Sequence, residues 1–281
     1  MTRSLAAAPQ RPAPAPQLPG HVQLFEPTED LSEALVLSGP HGAAVETLLA
    51  ELRHVDRFLA AGIDAPTRVL FEGPSGTGKT LTVRWLGWKL RARVLVTDIS
   101  ATVGSHLGET CKALGAAFDA AAKLQAILFL DETDAICARR DGGGDDGASL
   151  EMARATLSLL QRLDWLPPER VVVAATNYRD LIDPALSRRL PTQVRFELPD
   201  RDARARMIRR WLARATVPPE TLERLADETE GLSGSDVRAA AMALGRRAVM
   251  AAPQAAPPKK EPWVSPREGA QQVLGVLEEL A

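Results

Sequence analysis

The 281-residue chain has little cysteine, no long apolar run and almost no charge imbalance. Its two cysteines, Cys111 and Cys137, share no short metal-ligand spacing and fall in stretches of helical pattern, so they are expected as reduced, mostly buried thiols rather than a disulfide framework. The longest apolar run near the middle, Ala126 to Leu130, is far short of the ~20 residues a membrane-spanning helix needs. No bilayer span is therefore expected. A formal net charge of -2 gives no whole-chain attraction for nucleic acid or an anionic membrane, and only a local basic patch could supply one. The first residues, MTRSLAAAPQRPAPAPQLPG, contain an alanine run, but proline interrupts it before a signal core can form. Residues 1–30 read instead as a disordered, extended Pro/Ala-rich arm. No internal repeat is apparent.

What is present is ordinary for a globular protein with a real core: 45% hydrophobic and 25% charged residues, in a length that suits one large and one small domain. From Leu31 to about Ala61 apolar residues recur at helical spacing, predicting one amphipathic helix that ends before Gly62. Short apolar runs follow at Val69 to Phe71, Val94 to Val96, Ile127 to Leu130, Val171 to Ala174 and Val194 to Phe196, separated by helical segments. Buried strands alternating with helices predict an α/β fold: a parallel sheet covered on both faces.

After Leu198-Pro199-Asp200 the pattern turns purely helical, at Ala203 to Ala213, Glu220 to Glu228 and Gly234 to Met250. That switch predicts a boundary between a large domain, 31–199, and a small helical domain, 200–281. A Pro-rich linker at 251–264 interrupts the small domain. A last helix restarts with Ser265 as N-cap, Pro266 at its first position and Glu268 completing a capping box. In the stretch RDARARMIRRWLARA, the six arginines read as a solvated face, because Met207, Ile208, Trp211 and Leu212 supply a buried stripe.

Residues 73–80, GPSGTGKT, match G-x-x-x-x-G-K-S/T between an apolar strand and a helical segment. By glycine frequency the bare pattern should arise in on the order of one chain per hundred of this size, and the flanking elements make it far more specific. Glycines let backbone N–H groups close around phosphate oxygens, and the helix N-terminus adds positive potential. The candidate phosphate-binding residues are Gly73, Pro74, Ser75, Gly76, Thr77, Gly78, Lys79, Thr80 and Leu81, with Lys79 reaching the β and γ phosphates and Thr80 ligating Mg2+.

In ILFLDETD, Asp131 and Glu132 end a buried strand. Alone, such a pair ending a strand is more often a helix N-cap than a catalytic site. After a phosphate loop, Asp131 suits Mg2+ and Glu132 suits the polarising of an attacking water. In VVVAATN, Asn177 stands at a strand end, a turn position whose meaning depends on its company.

The ordered set GPSGTGKT, LFLDETD, AATN, DPALSRRLPTQVRFELPD and GLSGSD resembles the classical AAA family of ATPases, from about Leu31 to Ala281, as a small single-module member. The resemblance implies a P-loop NTPase core of five parallel strands with the phosphate-loop strand central, a small helical lid, and ATP with Mg2+ held at the subunit interfaces of a ring, usually a homo-hexamer. It makes Lys79 and Thr80 similar to the Walker A residues, Asp131 and Glu132 to the Walker B pair, and Asn177 to the first sensor. Glu132 is then the general base, and Arg188 and Arg189 resemble arginine fingers that serve the neighbouring subunit's site. Gly231, Ser233 and Gly234 resemble the segment near ribose and adenine, where no sensor arginine is seen.

Aligned on Gly108-Glu109, the stretch GSHLGET resembles the family's pore loop, placing His106 where an aromatic usually sits, Leu107 at the hydrophobic position and Gly108 beside it. A plain surface or packing role for His106 is the alternative. The tract DGGGDDG, 141–147, is either a second pore-facing loop or a flexible linker. The function so implied is Mg-dependent ATP hydrolysis by a ring that remodels, unfolds or disassembles a protein partner. The alternative is an ATP-controlled switch that positions a partner without threading it. Nucleic acid is not an expected partner, and the Ala, Arg and Pro usage points to a bacterial, cytoplasmic protein.

Overall fold

A computed structural model describes residues 18, 20–28, 30–31, 35–102, 108–137, 147–178, 182–212 and 219–251. His106 and Leu107 lie outside the described residues, as do most of 141–147, almost all of the 251–264 linker and the final helix expected from Ser265. The described elements run β1 (Val22–Phe25), α1 (Gly39–Leu52), α2 (Val55–Ala60), β2 (Arg68–Glu72), α3 (Lys79–Leu90), β3 (Val94–Asp98) and α4 (Glu109–Leu124). They continue through β4 (Ile127–Asp131), α5 (Asp134–Cys137), α6 (Gly147–Trp165), β5 (Val172–Thr176), α7 (Pro184–Arg189), β6 (Thr192–Arg195), α8 (Arg201–Trp211), α9 (Pro219–Glu228) and α10 (Gly234–Ala251).

The strands form one sheet in the order β1-β3-β4-β5-β2-β6. The five parallel strands are those the apolar runs mark: β2, β3, β4 and β5 are largely buried on both faces, while the edge strand β6 buries Val194 and exposes Gln193 and Arg195. Alternate side chains enter two different cores. On one face Leu70, Leu128, Leu130 and Ala174 pack with Leu114, Phe118 and Leu159 of α4 and α6. On the other, Val69, Phe71, Phe129 and Val173 pack with Val45, Leu48, Val83 and Leu86 of α1 and α3. A third, smaller cluster of Ile208, Leu212, Leu225, Val237 and Leu244 joins α8, α9 and α10.

Three details depart from the expectations. A sixth strand, β1, runs antiparallel along β3 within the stretch read as arm, pairing Val22 with Thr97 and Phe25 with Val94. The strand that precedes the phosphate loop, β2, is not central: it lies between β5 and the edge strand β6. The helix expected from Leu31 to Ala61 breaks at Arg53 and His54, where His54 leaves the helical basin, and the short α2 that follows buries no residue fully.

The arginines of α8 also divide. Arg201 and Arg209 are exposed, but Arg204 is buried and donates Nε to the Ala226 carbonyl and Nη1 to the Pro199 carbonyl, each at 2.8 Å. It ties α8 to α9 and to the segment leaving the sheet. Cys137 is buried, with desolvation pushing its thiol up to about 12, and both cysteines are free, as the helical context suggested. Among the described residues no helix is long and apolar enough to cross a membrane.

One packing contact sets a sign that local propensity would get wrong. Gly87, buried in the last turn of α3, lies so close to β3 that an added Cβ would meet Val94 Cγ2 at 2.3 Å and the Ala92 carbonyl at 2.9 Å. Replacing a helical glycine by alanine ordinarily favours the helix by about 1 kcal/mol. Here overpacking costs about 1–3 kcal/mol and outweighs it. Gly87→Ala is expected to lower the thermal midpoint by several degrees. In a double-mutant cycle with Val94→Ala, the loss should shrink; a midpoint raised by Gly87→Ala alone would refute the contact.

Candidate functional site

The parallel register brings the carboxyl ends of β2, β4 and β5 side by side: Glu72 pairs with Thr176, and Leu130 with Ala174. The chain leaving each end carries a candidate group. From β2 it enters the glycine-rich loop and α3. From β4 it passes through Asp131 and Glu132, and from β5 it reaches Asn177. A cleft of about 810 Å3 lies over these ends. Ser75 to Leu81, Asp131, Glu132 and Asn177 all line it, with Gly234 and Ser235 facing them from α10.

Lys79, the first residue of α3, is buried and points back across the loop. Its Nζ donates to the carbonyls of Gly73 at 2.7 Å and Pro74 at 3.0 Å, and to Asn177 Oδ1 at 2.8 Å. Burial lowers its pKa, while Asp131, Asp134 and Glu132 act in the opposite direction. Thr80 Oγ1 donates to Asp131 Oδ2 at 2.7 Å. A hydroxyl and a carboxylate so placed form a hard-oxygen pair beside the glycine-rich loop, the donor set a Mg2+ ion shares with phosphate oxygens and water.

Glu132 has φ +53, the left-handed region that a side chain with Cβ seldom occupies. Its neighbours fix it there. Asp131 Oδ1 accepts the Glu132 N–H at 3.1 Å, and the buried Thr133 donates both its N–H, at 2.9 Å, and its hydroxyl, at 2.8 Å, to the Ala175 carbonyl. Asp134 Oδ1 accepts the Asn177 N–H at 3.2 Å. Thr133 and Asp134 thus join the acidic turn to the end of β5. Sequence reading missed both, although they complete the same DETD motif.

The small helical unit closes the other side. Ser233 and Asp236 form a reciprocal cap at the start of α10: the Ser233 hydroxyl donates to Asp236 Oδ2 at 2.6 Å, and the Asp236 N–H returns to Ser233 Oγ at 3.3 Å. Between these two, Ser235 donates its N–H to the Gly76 carbonyl at 3.1 Å. Gly76 has φ +75, and a Cβ there would meet Ser235 Oγ at 2.1 Å, so this contact requires glycine. Met207, Trp211 and Met242 line the apolar end of the cleft together with Leu35 and Val36. Met207 and Trp211 were expected in a buried stripe; Ile208 and Leu212 take the core, while this pair sits half-buried toward the cleft. Arg210 donates Nη1 to the Leu35 carbonyl at 3.2 Å, holding the incoming segment against α8.

Arg188 and Arg189 do not reach this cleft within one copy of the chain. They line a separate hollow with Asp64, Arg68 and Asp164. Their surroundings differ. Arg189 donates Nε to Asp164 Oδ1 at 2.7 Å and Nη2 to Oδ2 at 2.8 Å, and its hydrogen bonds hold the Asp164 carboxyl below the usual carboxylate range. Arg188 is exposed and has no ion pair among the described residues. Gly108 is the N-cap of α4 with φ +87, its N–H donating to Glu151 Oε1 at 3.2 Å.

Comparison with known proteins agrees with this geometry. Residues 69–198 match the model of the "ATPase family associated with various cellular activities (AAA)". The chain is 34% identical over 209 residues to the proteasome-activating nucleotidase of Pyrococcus horikoshii, covering 73% of this chain and 52% of that protein. It is 34% identical over 226 residues to 26S proteasome regulatory subunit 6A of Saccharomyces cerevisiae, covering 78% and 52%. It is 35% identical over 210 residues to the proteasome-activating nucleotidase of Aeropyrum pernix, covering 73% and 51%. The chain therefore spans about half the length of the curated relatives it matches, and none of these three supports the bacterial source suggested by composition. Residues 69–198 thus form a domain of the AAA family, and the cleft described above lies on that domain.

Proposed function

We propose that this chain binds ATP with Mg2+ in the cleft between the sheet and α10, hydrolyses it, and assembles as a homo-hexameric ring that remodels or unfolds a protein partner. The observation that carries the reading is the convergence of Lys79, Thr80, Asp131, Glu132 and Asn177 from three adjacent strand ends on one cleft. Gly73 to Leu81 cradle the phosphates, Gly234 lies beside the nucleotide, and the apolar end formed by Val36, Met207 and Trp211 suits a purine base. Mg2+ held at Thr80 and Asp131 would neutralise charge on the phosphate oxygens. Glu132 accepts a proton from the attacking water. Asn177, released from Lys79 when that ammonium turns to phosphate, is placed to hydrogen-bond the γ-phosphate or the water.

The ring follows from the arginines. Arg84 and Arg238 line the cleft from its own copy, and Arg188, exposed and with no ion pair among the described residues, is free to add a guanidinium to a neighbouring copy's γ-phosphate. Arg189 was expected to act with it. Its bidentate hold on Asp164 supports a different part, bracing the end of α7 so that Arg188 projects. The relatives named for proteasome activation and regulation motivate a protein as the partner. In that reading His106, Leu107 and Gly108 form the loop that contacts it. The same family context favours a cytoplasmic setting.

Glu132→Gln is expected to slow steady-state phosphate release by about 10²- to 10⁴-fold with ATP affinity kept. Unchanged release would remove Glu132 as the base. Arg188→Ala should reduce turnover by about 10³- to 10⁵-fold without moving the melting midpoint. When mixed into wild type it should also depress the activity of the mixture more than dilution alone. Arg189→Ala and Asp164→Ala should both lower the midpoint, and a midpoint unmoved by either would sink the bracing assignment. His106→Ala should leave ATPase intact while abolishing unfolding of an added test protein; retained unfolding would favour the switch reading.

A further inference from the structure

The near-zero net charge of the whole chain conceals a concentration of basic groups at the end of the sheet opposite the nucleotide cleft. A hollow of about 470 Å3 opens at the amino ends of β3, β4 and β5, where α1, α3 and α4 terminate. Arg53, Lys89, Arg91 and Arg170 line it against two carboxylates, Asp56 and Glu169. Leu52 and Ile127, both buried, give it an apolar floor. The four cations come from three separate stretches of chain, so no run of basic residues marks the hollow in the sequence.

Helix ends account for part of this arrangement. Arg53 is the C-cap of α1, Lys89 is in the last turn of α3 and Arg91 is its C-cap, and carbonyl-bearing helix ends favour cations. They do not account for Arg170, which belongs to the segment leading into β5. Nor do they use up the charge. Among the described residues Arg53, Arg91 and Arg170 make no ion pair and no side-chain hydrogen bond, and Lys89 lies over the rings of Trp88 at 4.6 Å and Trp85 at 5.5 Å. Unpaired guanidinium groups above an apolar floor bind carboxylates more strongly than the same groups in open solvent.

We propose that this hollow binds an acidic peptide segment of a protein partner, through carboxylate side chains that meet Arg53, Arg91 and Arg170 while their methylenes rest on Leu52 and Ile127. A nucleic-acid strand fits less well. It needs an extended basic track, and this is a bounded hollow with two carboxylates in its wall. The hollow shares no residue with the nucleotide cleft of its own copy, which lies at the opposite end of the strands.

The test uses the full chain and a fluorescein-labelled hexaglutamate peptide, with binding followed by fluorescence anisotropy at low salt. Saturable binding is expected, weakened about tenfold or more by Arg170→Glu and by Arg91→Asn. Arg91 has φ +54, a conformation asparagine tolerates, so that variant removes charge without disturbing the turn. Arg209→Glu on α8, exposed and far from the hollow, should leave the affinity unchanged, and excess ATP should not displace the peptide. Absence of saturable binding, equal affinity across all variants, or displacement by ATP would each overturn the assignment.

Discussion

The hydrogen bond from Thr80 to Asp131 depends on a constraint that reaches through the whole large domain: three parallel strands must end at the same level. Thr80 is on the helix after β2 and Asp131 is the last residue of β4, with β5 between them. A one-residue slip of any of these strands would exchange the two sheet faces and move the candidate site residues by about 3.3 Å. The two hydrophobic cores forbid that slip. Leu128 and Leu130 belong to one core and Ile127 and Phe129 to the other, so the register that fills both cores is the one that assembles the site.

The cleft is also held from above. The backbone of Ser235 bonds the loop at Gly76, and the cap formed by Ser233 and Asp236 fixes the start of α10 at that contact. Further out, the buried Arg204 joins α8, α9 and the Pro199 carbonyl, so the helical unit is anchored to the chain segment leaving the sheet. A change at the phosphate loop therefore meets α10 directly through Gly76.

Much of this was legible in the sequence, for reasons particular residues make plain. Four of the five parallel strands stand out because they are largely buried on both faces, and Lys79, Thr80, Asp131, Glu132 and Asn177 because they stand at or just beyond the carboxyl ends of such strands. β1 did not stand out: four residues long, on an edge and half-exposed, it has neither a continuous apolar run nor clean alternation. The break after Leu52 was hidden because Val55, Phe58 and Leu59 keep the helical spacing across it. The difference between Arg188 and Arg189 was unreadable because Asp164 is 25 positions away in sequence. The same holds for the basic hollow, whose charges meet only through the packing of helix ends on strand starts.

The left-handed backbone at Glu132 is the clearest local conflict in the chain, costing about 1–2 kcal/mol for a residue that carries Cβ. A glycine would relieve it but would remove the carboxylate. What holds the turn is the double hydrogen bond from Thr133 to the Ala175 carbonyl, together with the Asp134 carboxylate on the Asn177 N–H. Both anchors lie on or directly after β5, the strand that leads to Asn177. The strain that aims Glu132 into the cleft is thus opposed by bonds to the segment bearing Asn177, so neither residue can shift far without drawing the other with it. The two groups expected to meet the attacking water keep a fixed spacing because the same short turn positions both.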